Sequence, residues 1–185
     1  SRTSERNKPE VLTRSKVESD KQKLSEFKNS FVFKKISNID VKCRQFVVAQ
    51  NQVFAATNNG LYIIEGSSAR NLTPGLYINH ATVSADEKRL LLATLTGVYQ
   101  LSKNASGAWE SKSLNDSIQF IAYNVVEDEN GGIWAGTDNG AFRYNTKETR
   151  HYSLPEVVNE QVLVSNVYGK IHFLLPSALF HYVAD

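Results

Sequence analysis

From residue 31 onward, short runs of Val, Ile, Leu, Phe, Tyr and Thr alternate with turns bearing Gly, Asn and Asp. That texture predicts consecutive strands joined by hairpins. No stretch after Ser30 places apolar residues at helical spacing, so this part of the chain is expected to be all-β. Residues 1–30 differ: they are polar and poor in strand formers. Ser15 followed by Glu18 resembles a capping box, and Val17, Leu24 and Phe31 recur every seventh residue. A short helix near 16–28 and a linker without regular structure are both open.

Four segments of the body match one another: QVFAATNNGLYII (52–64), RLLLATLTGVYQL (89–101), GIWAGTDNGAFRY (132–144) and KIHFLLPSALFHY (170–182). Each is an apolar strand, a polar turn and a second strand carrying an aromatic. The turn residues Gly60, Gly97, Gly140 and Ala178 are 37, 43 and 38 apart, close to the length of one four-stranded propeller blade. Glycine at this turn permits a positive φ, and Ala178 with Pro176 implies another turn type in the fourth copy. Further strands are expected before the hairpins (Arg44–Gln50, His80–Ala85, Ile121–Asp128, Val162–Asn166) and after three of them (Ser68–Leu72, Trp109–Leu114, Thr149–Leu154). The fold class is therefore all-β, with four repeats of a four-stranded antiparallel meander of β-propeller type. Residues 1–30 form a leader and 31–185 the propeller domain or partial propeller. The fourth copy lacks its outer strand, and Phe31–Ile36 is the candidate to supply it beside Leu179–Val183, closing the exposed edge.

The third copy, VVEDENGGIWAGTDNGAFRYN (125–145), resembles the two-component regulator propeller repeat. Its acidic–Asn–Gly turn is Asp128–Gly132, its I-W-x-G-T strand Ile133–Thr137, its x-N-G turn Asp138–Gly140, and its aromatic–x–Tyr strand Phe142–Tyr144. The first copy keeps Thr57, Asn59–Gly60 and Tyr62, the second Thr94, Gly97 and Tyr99, and the fourth mainly Gly169, Ile171, Phe180 and Tyr182. The resemblance implies an extracytoplasmic sensor region of a bacterial hybrid sensor kinase or related signalling protein, responsive to saccharides, with output domains elsewhere. It also implies rings of more than four blades, so a homodimer or further blades of a larger propeller are expected alternatives to a closed four-bladed ring.

Charge adds one distinction. Residues 1–35 carry ten Lys/Arg against five Asp/Glu, and the rest eleven against fourteen. A mildly acidic body argues against nucleic acid as partner. No apolar run approaches the ~18–20 residues of a membrane-spanning helix. The chain has no Met and begins at Ser1, so it reads as part of a longer frame. Its single cysteine, Cys43, excludes an internal disulfide and is expected to be a small buried residue.

No catalytic constellation stands out. There is no Gly-x-Ser-x-Gly nucleophile setting and no phosphate-binding glycine loop, and the four histidines lack metal-ligand spacing. Asp128–Gly131 hints at a calcium loop but lacks the closing Glu, so a plain turn is expected. No enzyme activity, cofactor or metal is expected. Tyr62, Tyr99, Phe142 and Phe180 share one repeat position, and Trp134 matches Phe54, which favours packing between blades. Trp109 does not recur. A ligand site is expected where the interblade loops meet the starts of the inner strands. There Arg44, Tyr77, His80, Asn115, Gln119 and Glu160 offer aromatic and hydrogen-bonding groups for a small polar ligand such as an oligosaccharide. The competing reading is a scaffold whose partner is a protein.

Overall fold

The computed structural model describes residues 33–115, 118–138, 140–145, 148–154 and 160–183. Contacts divide the chain into Ser1–Lys35 and Ile36–Asp185. Of the first unit only 33–35 are described, without regular structure, and the helix considered near 16–28 lies outside the described residues.

The described residues of the second unit form fifteen strands. The first sheet holds β1 (Cys43–Ala49), β2 (Gln52–Thr57), β3 (Gly60–Glu65) and β4 (Ser68–Asn71). The second holds β5 (Ile78–Val83), β6 (Arg89–Thr94), β7 (Gly97–Lys103) and β8 (Trp109–Ser113). The third holds β9 (Asn124–Glu127), β10 (Ile133–Thr137), β11 (Gly140–Tyr144) and β12 (Thr149–Ser153). The fourth holds β13 (Leu163–Val167), β14 (Lys170–Leu174) and β15 (Leu179–His181). Every sheet is an antiparallel meander in chain order, so each is one blade. The described residues contain no helix, and none therefore that could cross a membrane.

Alternation along the strands gives each blade two apolar faces, and neighbouring blades bury them against each other. Phe54, Ala56, Leu61 and Ile63 on the back of the first blade pack on Ile78, Ala81, Leu90, Leu92 and Leu101 on the front of the second. Leu91, Ala93 and Val98 then meet Val125, Ile133, Ala135 and Tyr144 of the third. Trp134 and Ala141 meet Val162, Val164, Ile171 and Phe173 of the fourth. Three of the four recurring aromatics, Tyr99, Phe142 and Phe180, pack into these interblade clusters, whereas Tyr62 packs on the front of the first blade with the segment that precedes it. Trp134 is fully buried, with Tyr152, Phe173 and Tyr182 rings 5.0–5.7 Å away. Trp109 closes the rim of the first seam, edge-on to Phe54 at 5.3 Å.

The hairpin turns repeat one device. Thr57, Thr94 and Thr137 are buried and donate their hydroxyls to the carbonyls of Gly60, Gly97 and Gly140. Gly60 and Gly97 adopt φ of +126° and +119°, as the turn reading requires. Gly140 is needed for a different reason: a Cβ there would stand 2.2 Å from the Tyr152 carbonyl oxygen. In the fourth blade Leu175 N–H donates to the Ala178 carbonyl instead.

Two expectations fail. Of the closing strand expected at Phe31–Ile36, residues 31–32 lie outside the described residues; 33–36 carry no strand, and among the described residues the fourth sheet ends at β15. Ser37 instead bridges Ser68 in parallel, and Ile36, Ile39 and Val41 pack on Ala55, Tyr62 and Ala69. The apolar residues after Lys35 thus bury themselves on the front of the first blade, as Leu72, Leu76, Leu114, Phe120 and Leu154 do at the internal seams. Cys43 is exposed rather than buried, because the first strand begins outside the packed part of its sheet.

Candidate functional site

The starts of the inner strands and the β2–β3-type hairpin turns lie at one end of every sheet, since Cys43 pairs with Thr57, Ile78 with Thr94 and Asn124 with Gly136. Four of the six candidates keep solvent contact: Arg44 and Gln119 are exposed, and Tyr77 and Glu160 half-buried. Arg44 is exposed at the start of β1; its guanidinium lies 4.6 Å over the Tyr77 ring and donates to the Tyr77 hydroxyl. Gln119 is exposed. Glu160 is half-buried and accepts a hydrogen bond from the Ser177 hydroxyl, 2.9 Å away, in the fourth hairpin turn.

The other two are engaged in holding the fold. Asn115 is buried. Its Oδ1 accepts from Val98 N–H (3.0 Å) and the Ser113 hydroxyl (3.1 Å), and its Nδ2 donates to the carbonyls of Thr96 and Ile118. All four hydrogen-bonding positions of the amide are filled. His80 belongs to a series running from one inner strand to the next. The Gln45 amide pairs with the N–H and carbonyl of Ala81, His80 Nδ1 faces Val125 N–H at 3.4 Å, and the Asn124 amide pairs with the N–H and carbonyl of Val164. Gln45, His80 and Asn124 occupy equivalent places, opposite Ala56, Ala93 and Gly136. Burial pushes the His80 imidazole below its usual pKa, so the neutral ring that can accept from Val125 N–H is favoured.

Sequence reasoning missed one pair at this end. Tyr123, just before β9, donates its hydroxyl to the Asp138 carboxylate (2.7 Å), and that hydrogen bond raises the Tyr123 pKa. An isolated bridge pairs the backbone of Asp138 with Gln161, the residue after Glu160. Asp138 could have been singled out, because it is the acidic residue between the turn Thr137 and Gly140. Nearby, a groove of about 220 Å³ is lined by Asn115, Ile118, Phe120, Phe142 and His151. The Phe120 and Phe142 rings stack in it at 4.3 Å, which gives it an aromatic floor.

The opposite end holds a more polar cleft of about 290 Å³, at Asp128, Trp134, Arg143, Lys170 and Tyr182. Asp128 is not poised as a calcium ligand. Its Oδ1 accepts from Asn130 and Gly132 N–H, and its Oδ2 from Trp134 Nε1 (2.8 Å) and from Arg143 Nε (3.0 Å) and Nη2 (2.8 Å). Burial raises its pKa, but the hydrogen bonds from Trp134, Arg143 and Gly132 outweigh that and hold the carboxyl below the ordinary range. Among the described residues, no group of three His, Cys, Asp or Glu side chains could hold a metal.

No family model matches the chain, and no curated protein matches it in sequence. Solved structures do share its fold. The extracellular domain of BT3049, assigned to a hybrid two-component system of B. thetaiotaomicron, aligns over 83% of this chain with TM-score 0.61 and 18% identity. The extracellular domain of BT4673 from the same organism aligns over 71% with TM-score 0.59 and 18% identity. Virginiamycin B lyase from Staphylococcus aureus aligns over 80% with TM-score 0.54 and 17% identity. The chain shares a fold with the extracellular domains of these bacterial signalling-system proteins. It spans 24% and 20% of the two B. thetaiotaomicron domains and 57% of the lyase. At these identities the likeness carries the architecture of consecutive propeller-type blades, while activity must be argued from the site.

Proposed function

We propose that the chain is a non-catalytic, extracytoplasmic sensor module of a bacterial signalling protein, binding a small polar ligand such as an oligosaccharide and acting through output domains elsewhere. The observation that carries this reading is the set of solvent-open polar pairs at one end of the blades: Arg44 with Tyr77, Tyr123 with Asp138, and Glu160 with Ser177. These groups are not consumed by seam packing, in contrast to Asn115, His80 and Asp128. Tyrosine faces stack on sugar rings, while carboxylates and a guanidinium exchange hydrogen bonds with hydroxyls, the mix a polar ligand needs. The likeness to ectodomains of two-component sensors supports a place outside the cytoplasm.

The test is a thermal-shift screen against neutral and acidic oligosaccharides, since a ligand bound only by the native state raises the melting temperature. Tyr123→Phe and Glu160→Gln are expected to weaken the response of a hit about tenfold each, one lost hydrogen bond to a charged or sugar group being worth roughly 1.4 kcal/mol. A hit whose affinity neither variant changes would move the site elsewhere.

A further inference from the structure

The third blade carries rings that its seam does not require. Tyr62, Tyr99 and Phe142 each follow their turn glycine by two residues. Across the sheet, the first two pair with Asn71 and Ser113, and Phe142 pairs with His151. Asn71 and Ser113 bond the loop that follows: Asn71 accepts from Thr73 N–H, and Ser113 donates to Asn115. Four residues before the equivalent Gln45, His80 and Asn124 stand Val41, Leu76 and Phe120, each partly buried in the same cluster as the recurring aromatic. In the first two blades an aliphatic group therefore fills this place and a small polar residue lies across the sheet. The third blade has a ring at all three positions.

Phe142 is flanked by Phe120, with ring centroids 4.3 Å apart, and by His151 at 4.7 Å. The rings line the groove of about 220 Å³ between the second and third blades, with Ile118, 58% exposed, in its wall. Both blades are four-stranded sheets packed on a neighbour at each face, so the groove belongs to an internal seam. A cavity of ~150 Å³ lined by such side chains is enough to hold benzene, so there is room for one substituted ring.

The wall also decides which ring fits. The Asn115 amide has no hydrogen-bonding position to spare. A sugar would press hydroxyls against Ile118 and the two phenyl rings and leave them unpaired, which costs free energy. An aromatic ring meets the same wall with apolar surface and needs a partner only at its substituent. His151 supplies that partner: its Nδ1 faces the Ser153 hydroxyl at 3.4 Å, and Nε2 is turned away from that contact.

We propose that this groove binds a small aromatic molecule of the phenol class, its ring against the Phe120–Phe142 stack and its hydroxyl bonded to His151. The site differs in chemistry from the polar groups at the inner strands and does not rest on a saccharide binding there.

Chemical-shift titration of the whole chain with p-cresol tests it. Shifts are expected to centre on Ile118, Phe120, Phe142 and His151 and to saturate with a Kd of about 1 mM, while methyl β-glucopyranoside leaves these residues unmoved. Phe120→Leu combined with His151→Ser gives the third blade the residues of the second and keeps the seam filled. This variant is expected to fold, which an unchanged far-ultraviolet spectrum checks, and to bind p-cresol about tenfold more weakly. Ile118→Ser, at an exposed position, is the second variant and should weaken binding about threefold. Absence of saturable shifts, shifts centred elsewhere, or undiminished binding in either folded variant overturns the proposal, as does methyl β-glucopyranoside binding here as tightly as p-cresol. N-acetyltyrosinamide binding about tenfold tighter than p-cresol would assign the groove to a tyrosine side chain of a protein partner, which also overturns it.

Discussion

Replacing Asp128 with Ala removes the acceptor around which the third blade is organised. Five hydrogen bonds end on its two oxygens, and its side chain is 9% exposed. The loss leaves the indole N–H of Trp134 unsatisfied in a fully buried ring, a penalty of about 1–3 kcal/mol. It also strips Arg143, 20% exposed, of its carboxylate partner. Removing one member of a largely buried pair costs about 3–5 kcal/mol, and part of this overlaps with the indole penalty, so the total is put at about 3–5 kcal/mol. For a domain of this size that corresponds to a fall in melting temperature of roughly 6–20 °C. Asp128→Asn keeps one acceptor oxygen but turns an amide N–H toward donors, and is expected to fall about halfway between. Calorimetry reads both. The acid limb gives a second check. Because the folded pKa of Asp128 is depressed, its contribution is complete above the unfolded pKa near ~3.9 and is lost as pH falls through the folded value. Asp128→Asn should flatten that limb. If Asp128→Ala lowers the melting temperature by less than ~2 °C, or if calcium raises that of the wild type, the turn is not the self-contained network described above.

Gly97→Ala places a Cβ 2.2 Å from Asn115 Oδ1 at a φ of +119°, and should destabilise by about 2–4 kcal/mol, read as a lower urea midpoint; Gly107→Ala, also at positive φ but in open space, should cost only ~1 kcal/mol. His80 has a depressed folded pKa, so stability should decline as pH falls from the unfolded value near ~6.5 toward the folded one. His80→Gln, which keeps an acceptor for Val125 N–H, should remove that slope between pH 7.5 and 5; equal slopes in both proteins would show that the ring is not held neutral by burial.

The blades were legible because their signals are local and repeated. A four-residue turn such as Thr57–Gly60 and the alternation around it depend on neighbours in sequence, so strand positions fell within a few residues of the observed ones. The reading of Gly140 had the right residue and the wrong cause, since the Tyr152 carbonyl that excludes a side chain comes from the next strand. The site was only half legible. Asn115 and His80 look like ligand groups in sequence, yet their partners at Thr96, Ile118 and Val125 are contacts of the folded blades. The Tyr123–Asp138 pair was invisible for the same reason, being set by the geometry of the inner strand and its turn. The closing strand was misread because Phe31–Ile36 has strand-forming residues, yet its described part, 33–36, carries no strand and the apolar side chains from Ile36 onward bury on Tyr62 and Ala69 instead.

The central claim is that a polar ligand binds where the inner strands begin. Amide and side-chain chemical-shift mapping during titration with an oligosaccharide panel tests it most directly, because it reports position as well as affinity. Shifts are predicted at Arg44, Tyr77, Tyr123, Asp138 and Glu160, with Asp128, Trp134 and Arg143 unmoved. A panel that shifts nothing, or a saccharide whose shifts centre on the Asp128–Trp134 cleft, would contradict it.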